Sequence, residues 1–233
     1  FLGCRASNGT GLCRGFELTG SYAVLIDCEA DTHVDIGVRM AGTTLVARGL
    51  WCHGNTSYGM QLGSSNGLVM LVDALMTDNS AGGMNMTANG TYVLHNLTVA
   101  NNLGATSDGL LVNTGVRFFA GSVLYNSIFS GNGRDGVRVT DTDGVAGLHA
   151  DYNGFYGNSG AARTNIVAGA HDTALDPQFV NAAADDYAIG ANLKGLGWPG
   201  LFPGGLTTGS LDMGAVQRAE AAAGGSGWIW RMP

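Results

Sequence analysis

Positive charge, long apolar runs and closely paired cysteines are all scarce in this sequence. Lys and Arg together number 11 in 233 residues, against 18 Asp and Glu, and the formal net charge is −7. Nucleic-acid binding needs Lys and Arg clustered against phosphates, so this balance argues against it. No apolar run reaches the roughly 18 residues of a membrane-spanning helix. No C-x2-C spacing occurs, and zinc ligands normally come that close in pairs. The chain opens at Phe1 with neither methionine nor a basic-then-apolar leader, and we read it as a mature or excised product.

Glycine is abundant, at 39 residues, beside 45% hydrophobic residues. Its placement is periodic. Gly15-Phe16-Glu17-Leu18, Gly37-Val38-Arg39-Met40, Gly59-Met60-Gln61-Leu62, Gly83-Met84-Asn85-Met86, Gly109-Leu110-Leu111-Val112 and Gly136-Val137-Arg138-Val139 all read glycine, apolar, variable, apolar. The glycines are spaced 22, 22, 24, 26 and 27 residues apart, which is the signature of a solenoid. Alternation sends the flanking apolar residues inward and the middle residue outward. Glu17, Arg39, Gln61, Asn85, Leu111 and Arg138 therefore form an outer row.

Two polar columns mark the corners of each turn. His33, Asn55, Asn79, Asn102, Asn132 and Asn158 form one, and Asp27, Gly49, Asp73, Asn96, Asn126 and Tyr152 the other. Asn, Asp and Gly tolerate left-handed backbone and bond locally in turns. Between the corners runs a second inward strand, with Leu25, Ala47, Leu71, Leu94, Leu124 and Ala150 in one stack and Ala30, Cys52, Met76, Val99, Phe129 and Phe155 in another. Three short strands per turn give an all-β, right-handed parallel β-helix of about seven coils, at about 4.8 Å per coil.

The corners and the phrase Tyr125-Asn126-Ser127-Ile128-Phe129-Ser130-Gly131-Asn132 resemble the repeats of bacterial secreted right-handed β-helix proteins, the superfamily that includes pectate lyases. Leu175-Asp176-Pro177-Gln178-Phe179-Val180 and Leu211-Asp212-Met213-Gly214-Ala215-Val216-Gln217 resemble the DP-x-F-V and D-x-G-A-x-[QE] phrases of the terminal module of such surface proteins. The S-P-A-I-D-A-G phrase usual between them is replaced by Ala191–Gly197. The resemblance implies the fold and an extracellular or cell-surface location. The expected division is 1–14 as an N-terminal segment, 15–174 as coils, 175–217 as the terminal module, and 218–233 as linker and tail.

The even cysteine count in a secreted context predicts two disulfides among Cys4, Cys13, Cys28 and Cys52, with Cys28 and Cys52 in neighbouring coils and Cys4 close to Cys13 in sequence. Free buried thiols are the alternative. Asn8, Asn55, Asn85, Asn89 and Asn96 each open an N-x-[ST] acceptor pattern. The plainer account is that corners favour Asn and outer strands favour Thr.

For catalysis the densest set is Asp135, Arg138, Asp141, Asp143 and His149. The lyases of the resembling fold imply calcium held by carboxylates and a base beside them, and calcium needs six to eight oxygens. Asp141-Thr142-Asp143-Gly144 is also an ordinary turn. The paired-aspartate and G-H-G phrases of pectin-hydrolysing β-helices are absent. We therefore expect no cofactor, with calcium only under the lyase alternative. The last residues include Trp228, Ile229 and Trp230 after a Gly-Ser linker, and burying them is worth several kcal/mol at about 25 cal/mol per Å². The reading that follows is a non-catalytic extracellular structural protein, self-associating head to tail through coil ends and tail into a filament, sheath or fibre. The runner-up is a carbohydrate-active or carbohydrate-binding β-helix.

Overall fold

The computed structural model describes residues 1–10, 13–63, 67–198 and 211–217. Within them the chain is all β, apart from single 3-10 turns, and winds as a parallel β-solenoid of about six turns. The expected fold is present, with about one turn fewer than the periodicity suggested. No helix among the described residues is long and apolar enough to cross a membrane.

Three sides can be distinguished. The first is the seven-stranded sheet built on the glycine repeat: Phe16–Leu18, Val38–Met40, Tyr58–Leu62, Gly82–Met86, Asp108–Val112, Val137–Val139 and Arg163–Thr164. Its ladder aligns Phe16 with Val38, Met60, Met84, Leu110 and Val137, as the alternation requires. The other two sides belong to one 11-stranded sheet that bends at a corner. One limb stacks Leu25, Ala47, Leu71, Leu94, Leu124 and Ala150. The other stacks Ala30, Cys52, Met76, Val99, Phe129 and Phe155. These columns meet in one apolar core.

The bend between the limbs is made by Asp27, Gly49, Asp73, Asn96, Asn126 and Tyr152, all at positive φ between 51° and 62°. The second corner differs from expectation. Its left-handed residues are Thr32, Gly54, Asp78, Asn101, Gly131 and Gly157, one step before the polar column. The column itself turns inward. Asn55 donates its side-chain amide to Asn79 Oδ1 at 2.8 Å and to the Ala30 carbonyl at 3.2 Å. Asn79 does the same to Asn102 and Cys52, Asn102 to Asn132 and Met76, and Asn132 to Asn158 and Val99. Each rung satisfies buried backbone of the preceding coil, so the ladder welds turn to turn.

Past residue 174 the chain leaves the solenoid and returns along the outside of the second limb. Tyr187, Ala182, Phe179, Ala215 and Val216 pack on Leu75, Ala100 and Trp51. Ile189, Leu193 and Met213 pack on Ile128. Phe179 and Tyr187 meet edge to face at 5.1 Å. The two phrases of the terminal module thus cover one outer side. The first limb has no such cover among the described residues except at its far end, where Trp198 reaches Tyr125.

Candidate functional site

The acidic set proposed for catalysis is divided by the fold. Asp135 is buried, and its carboxylate accepts from Arg138 Nη1 at 3.1 Å, Thr164 Oγ1 at 2.6 Å and the Ala161 amide at 2.9 Å. Burial alone would raise its pKa, but these donors outweigh it and hold the carboxyl below its usual value;. It is a structural anion. Beside it Arg134 makes a two-pronged bridge to the buried Asp108. Asp141 caps a 3-10 turn by accepting from the Asp143 amide at 3.1 Å, and Asp143 is exposed. His149 lies on the other sheet, in register with Val123. The five residues do not share a site, because the turn at Thr142–Gly144 and the loop after it carry the chain from the seven-stranded sheet to the strand Leu148–Asp151, which holds His149.

What the fold does bring together lies around the far end of the uncovered limb. Tyr125 Oη and His149 Nδ1 are 2.6 Å apart. Trp198 stacks on Tyr125 with ring centroids at 5.7 Å and is 46% exposed, anchored by its amide donating to Asn126 Oδ1 at 2.5 Å. Asp151 accepts from His171 through the amide and is paired with His171 Nδ1 at 2.9 Å, while His171 stacks on Tyr152 at 4.2 Å. Burial raises the Tyr125 hydroxyl pKa, and the Asp151 charge adds to it. Burial also lowers the pKa of His95, in the same ladder as Tyr125. Sequence spacing gave no hint of this cluster, since Trp198 arrives from the returning segment.

The rest of the uncovered limb is mostly apolar, with Thr44, Arg48 and Thr91 as its polar outward positions. Val24, Ile26, Val46, Leu68, Met70, Val72, Val93 and Val123 point outward along successive ladders, flanked by exposed Tyr22. Arg48, paired with Asp73, is the one arginine on these outward ladders.

Glu29, Asp31 and His53 place three ligand atoms within 4.8 Å of one another on the covered side. Arg5 already bridges this pair of carboxylates, at 3.0 Å to Asp31 and 3.4 Å to Glu29. Its guanidinium supplies the positive charge that a divalent ion would bring. His53 Nε2 lies 3.0 Å from Glu29, and Trp51 stacks on its ring at 3.9 Å. This arrangement fits an ion-pair network better than a cation site.

The expected disulfides are not present: all four thiols are free. Cys52 is level with Ala30, which leaves Cys28 level with Leu50. Cys28 and Cys52 are therefore offset by two residues along the strands as well as one coil apart, beyond the roughly 6.8 Å Cα separation a disulfide spans. Cys4 packs against the core and Cys13 is exposed. Among the sequons, Asn55, Asn85 and Asn96 are buried. Asn55 and Asn96 commit their amide nitrogens to Asn79 and Asp73, and Asn85 Oδ1 accepts from Asn113. These three are not acceptor sites in the folded chain. Asn8 is exposed, and Asn89 is half-buried with its oxygen on the Arg117 amide. Trp228, Ile229 and Trp230 lie outside the described residues.

Comparisons of the chain with protein-family models, with curated proteins and with solved structures give no match.

Proposed function

We propose that this chain is a non-catalytic structural β-solenoid of an extracellular or surface assembly, and that copies associate side to side across the uncovered limb. The observation that supports this reading is the distribution of cover. One side carries polar and charged residues, a second is partly covered by the chain's own returning segment, and the third is left mostly apolar. Five strands about 4.8 Å apart, each about five residues at about 3.3 Å, give a face on the order of 400 Å². Contiguous apolar patches of that size on monomer surfaces are often functional. It is about half of what one partner contributes to a standard stable interface, so the association is expected to be weak and concentration-dependent. Two such flat faces stack as sheets do, about 10 Å apart. Sedimentation should give a mass that rises with concentration for the parent chain and stays at the monomer for Met70→Glu, in the middle of the face. A parent chain that remains a monomer at the highest soluble concentration refutes this reading.

A second reading rests on the exposed ring of Trp198 stacked on Tyr125 beside His149. Flat aromatic faces with polar neighbours suit sugar rings, so a carbohydrate-binding role belongs at this end of the face and not at Arg138 and Asp141. Retardation in gels containing polysaccharide, abolished by Trp198→Ala, is the expected result, and equal mobility of both chains across the panel removes it.

A further inference from the structure

We propose that Cys13 and His33 form a thiol–imidazole pair that makes Cys13 the nucleophilic thiol of the chain, a site of thiol–disulfide exchange with low-molecular-weight disulfides. This is independent of the association face.

His33 holds the first position of the asparagine ladder. Where Asn55 gives its amide to the Ala30 carbonyl, His33 Nε2 lies 3.0 Å from the Ala6 carbonyl. A carbonyl only accepts, so Nε2 carries the proton and Nδ1 keeps a lone pair. His33 is only 4% exposed, and Nδ1 has no hydrogen-bond partner among the described residues. An orphaned buried acceptor is costly, and such a group asks for a role.

Its surroundings supply one. A methyl group placed on Gly9 would meet His33 Nδ1 at 2.5 Å and Cys13 Cβ at 2.7 Å. The imidazole nitrogen and the cysteine therefore border the same small space, kept open by a glycine. Cys13 is exposed, and its thiol donates to the Thr10 carbonyl at 2.9 Å. Because Nδ1 and the Cys13 Cβ both lie within 2.7 Å of the Gly9 methyl position, a turn about χ1 can swing the S–H from that carbonyl toward Nδ1. The other thiols lack this combination. Cys28 and Cys52 are buried, burial drives the Cys52 thiol pKa up, and Cys4 faces the Leu2 carbonyl.

In the exchange the Cys13 proton passes to His33 Nδ1 and the thiolate attacks one sulfur of R–S–S–R. The Cys13–S–S–R bond forms as R–S⁻ leaves, and the departing thiolate takes the proton back from the imidazolium. Cys13 is oxidised to a mixed disulfide, and the other half of the reagent is reduced to a thiol.

The test uses the full chain with 5,5′-dithiobis(2-nitrobenzoate) at neutral pH, following the released thiolate and mapping the labelled peptide. One fast thiol is expected, at Cys13, and Cys13→Ser removes it. His33→Asn installs the residue other coils use at this position, so the fold is kept, and Cys13 labelling should slow by about tenfold or more. Within the parent chain, Cys13 should react about tenfold faster folded than in concentrated urea, a comparison that needs no variant. Faster labelling of another cysteine, equal rates in folded and unfolded chain, or a folded His33→Asn chain that reacts at the parent rate would overturn the proposal.

Discussion

Tyr187 donates its phenolic hydrogen to Asp78 Oδ2 at 2.7 Å, joining residues 109 apart in sequence. Asn101 donates to the same hydroxyl at 3.3 Å. The phenol is otherwise buried, and burial, with the bond to Asp78 next, pushes its pKa well up. This contact pins the returning segment to the solenoid corner. Removing the hydroxyl with Tyr187→Phe should cost about 1–2 kcal/mol, since Asp78 regains water. Tyr187→Ala also empties an apolar socket and should cost about 3–5 kcal/mol. Chemical denaturation measures both, and the alanine variant should become protease-sensitive between residues 165 and 190.

The asparagine ladder is a second place where one side chain serves several coils. Asn79 donates to Asn102 and to the Cys52 carbonyl, and accepts from the Asn55 amide nitrogens of backbone and side chain. Asn79→Ala strands several buried groups at about 1–3 kcal/mol each, so a loss of about 4 kcal/mol or more is expected. Asn158 is half-buried at the last rung and donates to the Phe129 carbonyl. Asn158→Ala should cost about 1–2 kcal/mol. Equal losses at the two positions would show that the rungs act singly and not as a ladder.

How far the sequence announced this follows from the physics of each feature. Inward columns were legible because a strand alternates strictly and a parallel ladder repeats that alternation coil after coil, as with Leu25, Ala47 and Leu71. The ladder asparagines were legible as a column but not as a core. Asn suits both a left-handed corner and a buried amide rung, and only the backbone shows that Gly54 takes the corner while Asn55 turns in. The cysteine pairing failed on a two-residue offset, invisible without register. The cluster of Tyr125, His149 and Trp198 was hidden because Trp198 reaches it on a segment that has left the repeat.

Asp135 gives a pH-dependent expectation. Its pKa is held below the ordinary carboxylate value of about 3.9 by Thr164, Ala161 and Arg138 acting against burial. A depressed carboxylate contributes stability that is present above the unfolded pKa and lost as pH falls through the folded one. Asp135→Asn should therefore be less stable than the parent at neutral pH, and the gap should close as pH falls below about 4. Denaturation midpoints of both chains between pH 3 and 7 measure this. A gap that stays constant with pH would mean that the carboxylate charge contributes nothing and that only its shape matters.

Gly214 shows why the D-x-G-A-x-Q phrase has its form. Its φ of +91° is closed to most side chains, and a Cβ there would meet Ile128 Cδ1 at 2.7 Å and Thr98 Oγ1 at 2.8 Å. The same approach lets the Gly214 amide donate to the Asn126 carbonyl and the Ala215 amide donate to Thr98 Oγ1 at 2.9 Å. Asp212 and Gln217 fold the phrase on itself, with Gln217 Nε2 donating to the Asp212 and Gly214 carbonyls. Gly214→Ala should cost about 2–4 kcal/mol through backbone strain and lost seating. Hydrogen exchange then separates two roles for the returning segment. If it is only a cover, the variant loses protection at 177–190 and 211–217 while Leu71 and Leu94 in the coils stay protected. If it braces the solenoid, protection in Gly67–Thr77 and Gly90–Ala100 falls with it. The apolar contacts of Tyr187 and Ala215 on Leu75 and Ala100 lead us to expect the second outcome, because the returning segment shelters those outward residues from water.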